Sequence, residues 1–272
     1  MKIKKIRYFI LLLALMLSAC KGLPIGANSV DEEKADLTNQ YSTDHLSENE
    51  ASNLNAQLGA GYITNGRYDR ALDKLEKALD LDSDNALAHN YLGVLYGRLD
   101  RPKLAYEQFN RSLDLSPNNS VLLNNYAIFL CDQEEFDSAI RKFKRVVGNP
   151  LYNDLSGAYN SAGNCAYKNE DYPLAEQFYR SSLKKNPNMS RAMLGLAKIN
   201  YFQGTYPLAL SYYQRFDALA IQDADSLWLG LNILKNLQQP DKNLISSYQL
   251  QLKSRFPDSD ETKWFYQNKQ EY

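Results

Sequence analysis

Histidine and cysteine, on which many catalytic and metal centres depend, are scarce in this sequence. Its 272 residues include 2 histidines and 3 cysteines, and neither His45 nor His89 has a second histidine nearby. The parts of a metal site or of a Ser–His–Asp triad are therefore missing, and so is a glycine-rich phosphate-binding loop. We predict a protein that is not an enzyme and that uses no metal, no cofactor and no small-molecule substrate.

Positive charge is also scarce beyond the first residues of the chain. The formal net charge is −1, but Lys2, Lys4, Lys5 and Arg7 precede residue 20 with no acid among them, which leaves −5 for the remainder. Such a chain has no basic stripe to follow a phosphate backbone, so we exclude nucleic acid as a partner. The 13 glycines stand beside 20 tyrosines, and this balance disfavours a β-rich fold with many tight turns.

A hydrophobic run long enough to cross a membrane is absent. The apolar stretch from Tyr8 to Leu17 has 10 residues, whereas a spanning helix needs roughly 20. Behind a positively charged head and ahead of small residues, such a stretch is typical of a secretory signal peptide, which we place at 1–19. An uncleaved membrane anchor is the alternative interpretation.

The residues after this stretch, Leu17-Ser18-Ala19-Cys20, resemble the bacterial lipobox, in which the cysteine thiol is acylated and the chain is cut before it. The resemblance implies that Cys20 carries a covalent lipid and anchors the protein to a membrane. Lys21 stands where the inner-membrane retention signal usually has Asp, so we expect the outer membrane, with the protein facing the periplasm. Residues 20–50 are polar, acidic and without periodicity, and we predict a flexible linker there.

The strongest positive signal is an internal repeat. Five alanines recur at intervals of 34, 34, 36 and 34 residues: Ala71, Ala105, Ala139, Ala175 and Ala209. Twelve residues before each stands a small residue: Gly59, Gly93, Ala127, Gly163 and Ala197. Four residues after each stands a large one: Leu75, Phe109, Phe143, Tyr179 and Tyr213. This register predicts a tandem array of one structural unit.

Each unit has apolar residues at helical spacing on both sides of a short polar turn, which predicts two amphipathic helices. The pattern resembles the tetratricopeptide repeat, which implies an all-α fold, a right-handed solenoid of about six helix–turn–helix units. We place this domain at 51–258 and leave 259–272 as a C-terminal tail. The predicted units are 52–85, 86–119, 120–155, 156–189, 190–222 and 223–258.

The first helices of the units are expected to line a concave face that binds a peptide. An asparagine recurs at the fifth position of three units, and this asparagine ladder would offer donors and acceptors to an extended peptide backbone. Capping of turns, or contact with water, is the alternative role. The candidate groove residues are Asn90, Val94, Arg98, Asn124, Asn125, Ile128, Asn160, Asn164, Tyr167 and Leu194.

Two cysteines besides Cys20 fall near the ends of two consecutive first helices. These are Cys131 and Cys165, and their positions within the units differ by two residues. The periplasm would permit oxidation, but because of this offset we expect two buried thiols rather than a disulfide.

Lipobox, linker and repeats together resemble the pilotin family of type IV pilus biogenesis and stability lipoproteins, over nearly the whole chain. The stretches that carry the likeness are VLLNNYAIFLCDQEEFDSAI, RPKLAYEQFNRSL and SYQLQLKSRFPDS. The resemblance implies a non-enzymatic outer-membrane lipoprotein whose protein partner is the pilus secretin, which it helps to reach that membrane and to assemble. The alternatives are a lipoprotein subunit of the outer-membrane β-barrel assembly machinery and another periplasmic peptide-binding scaffold.

Overall fold

The computed structural model describes residues 47–269, and all regular secondary structure among them is helical. The predicted signal peptide at 1–19, Cys20 and most of the predicted linker at 20–50 lie outside these residues. The helices are α1 (Glu48–Thr64), α2 (Tyr68–Leu81), α3 (Ala86–Arg98), α4 (Pro102–Leu115), α5 (Ser120–Asp132), α6 (Phe136–Val147), α7 (Leu155–Lys168), α8 (Tyr172–Lys185), α9 (Ser190–Phe202), α10 (Tyr206–Asp217), α11 (Ala224–Lys235), α12 (Lys242–Arg255) and α13 (Asp260–Lys269). None of these described helices combines the length and the apolar character that crossing a membrane requires.

The first twelve helices form six pairs that stack in chain order. The odd-numbered member of each pair, from α1 to α11, is called helix A, and the even-numbered member is called helix B. Each helix A also contacts helix A of the next pair, so the array grows by repeating one set of contacts. This arrangement confirms the predicted all-α solenoid of helix–turn–helix units.

The helical array does not stop at residue 258, where the predicted repeat domain ends. The segment predicted as a tail, 259–272, contains α13, which contacts both helices of the sixth pair. Phe265 of α13 is buried in the same apolar cluster as Leu252. Thr262 Oγ1 donates a hydrogen bond to the Phe256 carbonyl at 2.7 Å. Helix α13 therefore covers the end of the last repeat.

The recurring small residue lets the two helices of a pair approach each other closely. All five recurring alanines are fully buried. A Cβ atom on Gly93 would lie 2.8 Å from the ring of Phe109, and one on Gly163 would lie 2.6 Å from the ring of Tyr179. Both distances are well below a favourable carbon–carbon separation of about 3.5–4.0 Å. The register found in the sequence is therefore the packing register of the helix pairs.

The turn from helix A to helix B places one residue in the left-handed backbone region in each of the first five units. These residues are Gly66, Asp100, Glu134, Glu170 and Gly204, with φ between 54° and 72°. Glycine adopts this region without a steric penalty, whereas a Cβ is crowded there. The same turn geometry thus recurs in units whose turn sequences differ.

An arginine near the end of helix B donates a hydrogen bond to most of the turns that lead from one unit to the next. The arginine and its partner in the preceding turn are Arg111 with Asp84, Arg145 with Pro117, Arg215 with Pro187, and Arg255 with Gln222. The fourth unit has Ser181 where the second, third and fifth have arginine, six residues after the recurring alanine. The turn that precedes this unit, 148–154, lies in the interval of 36 residues between Ala139 and Ala175, which is two residues longer than the other intervals.

Cys131 and Cys165 form a disulfide, with their Cα atoms 5.7 Å apart, so the expectation of two buried thiols is wrong. Two residues along an α-helix correspond to a rotation of about 200°. The offset between the two cysteines therefore turns Cys131 of α5 toward α7, and turns Cys165 of α7 back toward α5. Cysteines at identical positions would have pointed in the same direction, so the offset favours the bridge instead of opposing it.

The first helix pair has no preceding pair among the described residues, and this leaves one side of α1 open. Leu54 and Leu58 are each 46% exposed. The residues at the corresponding positions of the next four A helices are buried: Ala88 and Leu92, Leu122 and Tyr126, Ala158 and Ala162, Ala192 and Leu196. The open side of α1 is therefore an apolar surface that a further repeat would cover.

Candidate binding groove

The exposed sides of the A helices lie side by side and form a trough along the array. Residues four apart share one face of a helix, and the A helices stack in register. Equivalent residues of successive A helices therefore form three rows that run along the trough. Row one consists of Ala56, Asn90, Asn124, Asn160 and Leu194. Row two consists of Ala60, Val94, Ile128, Asn164 and Lys198. Row three consists of Thr64, Arg98, Asp132, Lys168 and Phe202.

The trough over α1, α3 and α5, called the apolar half below, contains two cavities of about 550 and 220 Å³. The larger lies against Ile63, Tyr91 and Val94, and the smaller extends to Ile128. Both are lined by Val94, Arg98 and Asn125, so they adjoin each other. The apolar side chains of row two therefore line an open trough over three successive A helices, beside polar groups such as Arg98.

The trough over α7 and α9, called the polar half below, contains one cavity of about 330 Å³. Its lining consists of Asn164, Tyr167, Lys168, Tyr179, Arg191, Leu194, Gly195 and Lys198. Lys198 is paired with Asp225 at 2.7 Å. Arg191 has no ion-pair partner within 4 Å in the described part of the chain. The lining contains no acidic side chain, but Asp132 and Asp225 balance Lys168 and Lys198, so Arg191 supplies the net positive charge of this cavity.

The disulfide lies at the boundary between the two halves, since it joins α5 to α7. Next to it, Asp132 and Lys168 of row three form an ion pair with a 2.6 Å separation. Both side chains are about half exposed, and ion pairs at such positions contribute at most about 1 kcal/mol. Of these two links between the halves, the covalent bridge is therefore the stronger.

Seven of the ten predicted groove residues line these cavities. They are Val94, Arg98, Asn125, Ile128, Asn164, Tyr167 and Leu194. The other three are the asparagine ladder, Asn90, Asn124 and Asn160, which belongs to row one. Asn90 and Asn160 are buried and Asn124 is half-buried, so the ladder lies between the A helices and below the surface of the trough.

Asn90 does not face the trough as a free amide, which corrects the prediction for this residue. Its side chain has no exposed surface. Its Nδ2 donates to the Leu122 carbonyl at 3.2 Å, and its Oδ1 accepts from Asn125 Nδ2 at 2.7 Å. Both partners belong to α5, so the amide joins two neighbouring A helices. Row one is where these helices meet, and a buried amide there bonds to the adjacent helix.

Asn124 and Asn160 differ from Asn90 in that part of their bonding capacity is unused. The Oδ1 atoms of both are buried and have no hydrogen-bond partner among the described residues. An unsatisfied buried acceptor costs about 1–3 kcal/mol. Packing of the A helices therefore does not explain why an amide stands at these two positions, whereas it does explain Asn90.

The phenol groups of the polar half remain neutral. Burial, helped by Tyr172 and Asp225, raises the pKa of Tyr167 to about 12. Burial also raises the pKa of Tyr179, whose hydroxyl donates to Asn164 Oδ1 at 2.8 Å. These hydroxyls therefore act as hydrogen-bond donors at physiological pH and add no negative charge to the cationic cavity.

Several residues of the trough are absent from the sequence prediction, among them Asp132, Lys168 and Lys198. Their positions follow from the repeat register, because Lys198 is the row-two equivalent of Val94. Asp132 and Lys168 are likewise the row-three equivalents of Arg98. A prediction made row by row would have included all three. No such signal marks Arg191, which reaches the cavity from the start of α9.

Comparison with protein families agrees with the repeat register. A family model described as TPR repeat matches residues 59–100, and a model described as tetratricopeptide repeat matches 130–190 and 161–224. Among characterised proteins, the type IV pilus assembly protein PilF of Pseudomonas aeruginosa is 32% identical over 216 residues. This match covers 79% of the present chain and 85% of that protein.

Solved structures show the same likeness. A structure from the functional characterisation of Pseudomonas aeruginosa PilF superposes with a TM-score of 0.73 at 31% identity, and covers 81% of this chain and 99% of that one. A crystal structure of PilW, described as a widely conserved type IV pilus biogenesis factor, superposes with a TM-score of 0.72 at 28% identity. It covers 80% of this chain and 99% of that one.

Proposed function

The chain belongs to the tetratricopeptide-repeat family of type IV pilus assembly proteins that includes PilF, and on this premise we propose that it binds the pilus secretin. It acts as a lipid-anchored protein of the outer membrane that holds a secretin segment and promotes the targeting and ring assembly of the secretin. Tetratricopeptide proteins mediate protein–protein interactions and are generally not catalysts, which supports a role in binding alone.

The observation that carries this proposal is the apolar half of the trough. Its two adjoining cavities lie over three A helices, and their lining includes the apolar side chains of Ile63, Val94 and Ile128. A small-molecule site encloses most of its ligand, whereas this channel is long and open to solvent. Such a surface suits a polypeptide segment whose apolar side chains fill the cavities in turn.

The polar half suits a continuation of the same segment. Arg191, which has no ion-pair partner within 4 Å in the described residues, gives its cavity an excess of positive charge, and the Tyr167 hydroxyl is a neutral donor. We propose that an acidic stretch of the segment follows its apolar stretch, so that the two halves fix its direction along the trough. Complementary charge speeds association and rejects wrong partners more than it adds to affinity.

The membrane part of the proposal rests on the sequence around Cys20. Its lipobox-like context supports lipid attachment, and Lys21 supports sorting to the outer membrane, with the repeats in the periplasm. The Cys131–Cys165 disulfide supports the same compartment, because disulfides persist in the bacterial periplasm and are rare in the cytosol.

The mechanism involves binding alone, with no bond made or broken in the partner. A protein that binds one state of the secretin better than another shifts the population toward that state by its differential affinity. Residence at the membrane adds to this effect, since the lipid at Cys20 raises the local concentration of both partners at the surface where the ring forms.

A subunit of the β-barrel assembly machinery is the second candidate function. Membership of the pilus assembly family, at 32% identity over four fifths of the chain, favours the secretin over this alternative. Both candidates are lipoproteins with helical repeats, so fold alone does not separate them.

Affinity capture of the full lipidated protein from detergent-solubilised outer membranes tests the proposal. We expect the secretin to co-elute and to be identified by mass spectrometry. Ile128→Asp should reduce its recovery at least about tenfold, because a charge in an apolar contact is left unpaired. Leu208→Asp is the matched control, since Leu208 is exposed to a similar degree, 42% against 37%, but lies on a helix B.

Three results would count against the proposal. Recovery of β-barrel assembly subunits in place of the secretin would support the second candidate function. Equal loss of the secretin with Ile128→Asp and Leu208→Asp would move the docking site away from the apolar half. Loss of the secretin with Leu58→Asp, but not with Ile128→Asp, would place the docking site on the open side of α1.

A further inference from the structure

All A helices begin at the same edge of the array, which is called the entry edge below. It is formed by Ser47 and by the turns 82–85, 116–119, 148–154, 186–189 and 218–223. Hydrogen bonds join the turns of this edge to adjoining helices: Asn85 to Asn53, Arg145 to Asn118, and Asn149 to Ser120. The opposite edge carries the turns from helix A to helix B.

Two turns of the entry edge expose large aliphatic side chains to solvent. Leu151 is 86% exposed in the turn 148–154, and Ile221 and Leu219 are 89% and 50% exposed in the turn 218–223. The three regular turns of the same edge expose polar residues or proline: Ser83 and Asp84, Pro117 to Asn119, and Asn186 to Asn188. Exposed aliphatic residues on this edge are therefore confined to the two irregular turns.

Positive charge lies between these two turns. Lys184 and Lys185, both exposed, end α8 and adjoin the turn 186–189, which stands between the two irregular turns along the array. Lys144 and Arg145 end α6, just before the first irregular turn, and are also exposed.

The acidic side chains beside these turns are engaged in local bonds. Asp154 accepts from the Gly157 N–H at 2.8 Å, and Asp223 accepts from the Ser226 N–H at 2.8 Å. Asp225 is paired with Lys198. Asp217 accepts from the Tyr248 hydroxyl at 3.0 Å. These hydrogen bonds leave the carboxylates charged, so the entry edge of repeats three to six carries both signs of charge. It has exposed aliphatic side chains at two points and, between them, Lys184 and Lys185, neither of which has an ion-pair partner within 4 Å in the described residues.

The chain reaches the array at this same edge. Helix α1 is capped by Ser47, and Ser47 follows Cys20 by 27 residues in the sequence. The chain therefore connects the proposed lipid anchor to the array at the entry edge and not at the opposite edge.

We propose that the entry edge of repeats three to six rests on the membrane surface. Leu151, Leu219 and Ile221 enter the boundary between headgroups and acyl chains, and Lys184 and Lys185 meet anionic headgroups. This inference rests on the lipid anchor of the proposed function and adds an orientation to it. An aliphatic surface with exposed lysines is a membrane signal of its own, which adds to the lipid anchor and sets the orientation of the array.

Depth-dependent fluorescence quenching tests this orientation. The full lipidated protein is labelled with bimane at Leu151→Cys or Ile221→Cys and bound to vesicles of phosphatidylethanolamine and phosphatidylglycerol that contain a headgroup-proximal spin-labelled lipid. Labels at Asn169→Cys and Gln203→Cys, exposed sites of the opposite edge, are the matched controls. Cys131 and Cys165 are bonded to each other, so the introduced thiol reacts. All four sites are exposed, so the labels leave the core intact.

We expect at least about twofold more quenching at 151 and 221 than at 169 and 203, as burial in the interface requires. Lys184→Gln with Lys185→Gln should reduce this difference, as should vesicles of phosphatidylcholine alone. Equal quenching at both edges, with the protein sedimenting with the vesicles, would overturn the orientation and leave the anchor intact. A protein that does not sediment with vesicles would overturn both. If bimane fluorescence at 151 and 221 changes with protein concentration and not with lipid, the entry edge binds a second copy of the chain and the membrane orientation is wrong.

Discussion

The two halves of the trough share one backbone register but present different side chains. In row two, Val94 and Ile128 line the apolar half, whereas Asn164 and Lys198 line the polar half. The positions between helix A and helix B do not change in this way, because each of the first five units keeps a small residue, an alanine and a large apolar or aromatic residue. Fold and binding character therefore reside on different faces of the same helices.

The reason lies in the burial of each face. Ala105 and Ala175 have no exposed surface, and a volume change at such a site creates a cavity or a clash. Trough residues such as Ile128 and Asn164 keep solvent contact, and substitutions at exposed sites change stability by about 0.5 kcal/mol or less. The trough can therefore change from apolar to cationic along its length while the array stays intact.

The largest expected effect on stability comes from removing the disulfide that joins the two halves. Cys131→Ala with Cys165→Ala removes a cross-link over 34 residues, and the chain-entropy model gives a loss of about 4 kcal/mol in the free energy of unfolding. Urea denaturation followed by circular dichroism measures it. We expect the two halves to unfold at different urea concentrations, since nearest-neighbour contacts alone then couple them.

Wild-type protein treated with a reductant is the matched control for that pair of substitutions. It should shift to the same midpoint, because both treatments remove the cross-link and only one changes the side chains. A midpoint that does not move in either case would mean that the bridge contributes nothing to the coupling of the halves.

A smaller effect is expected from one charge placed in equivalent positions of the two halves. Val94→Asp should weaken binding of a purified secretin segment by about 30-fold, or about 2 kcal/mol, because it buries an unpaired charge. Asn164→Asp, in the same row, should weaken it by about threefold at most, since the hydroxyl of Tyr179 still has its acceptor. Isothermal titration calorimetry measures both.

The comparison of halves fails if the two variants lose equal affinity. A larger loss with Asn164→Asp would place the main contact in the polar half. The salt dependence of the association rate is an independent check, because the cations around Arg191 should act mainly on that rate.

The smallest expected effect is a difference in stability between variants at two members of the asparagine ladder, one in each half. Asn90→Ala breaks two hydrogen bonds and should cost about 1 kcal/mol of stability. Asn160→Ala removes a buried acceptor that has no partner, and with it the cost of leaving that acceptor unsatisfied, so it should not lower stability. Thermal unfolding of the two variants measures the difference, and equal melting temperatures would show that the bonds of Asn90 contribute no more than the unpartnered amide of Asn160.

The ladder also shows where reasoning from the sequence reached its limit. The spacing of Asn90, Asn124 and Asn160 correctly places them on one face of successive A helices. Their identity alone does not reveal whether that face meets a ligand or the neighbouring helix. Asn125, one residue after Asn124, supplies the bond that holds Asn90, and this pairing depends on the distance between α3 and α5.

The disulfide is a second example of the same limit. The two-residue offset of Cys131 and Cys165 within their units suggested that they could not meet. The stacking of α5 and α7 reverses this conclusion, since a side chain must point forward on one helix and backward on the other. Repeat numbering describes equivalent positions, whereas a bond between units needs complementary ones.

The number of helix pairs, their packing register and the all-α fold can be predicted from the sequence, because these depend on local periodicity and on residue volume. Only the folded arrangement shows which polar groups are bonded between helices, that two cysteines are joined, and that exposed aliphatic residues lie on the edge at which α1 begins. Those features depend on distances between segments far apart in sequence, and no periodicity along the chain encodes such distances.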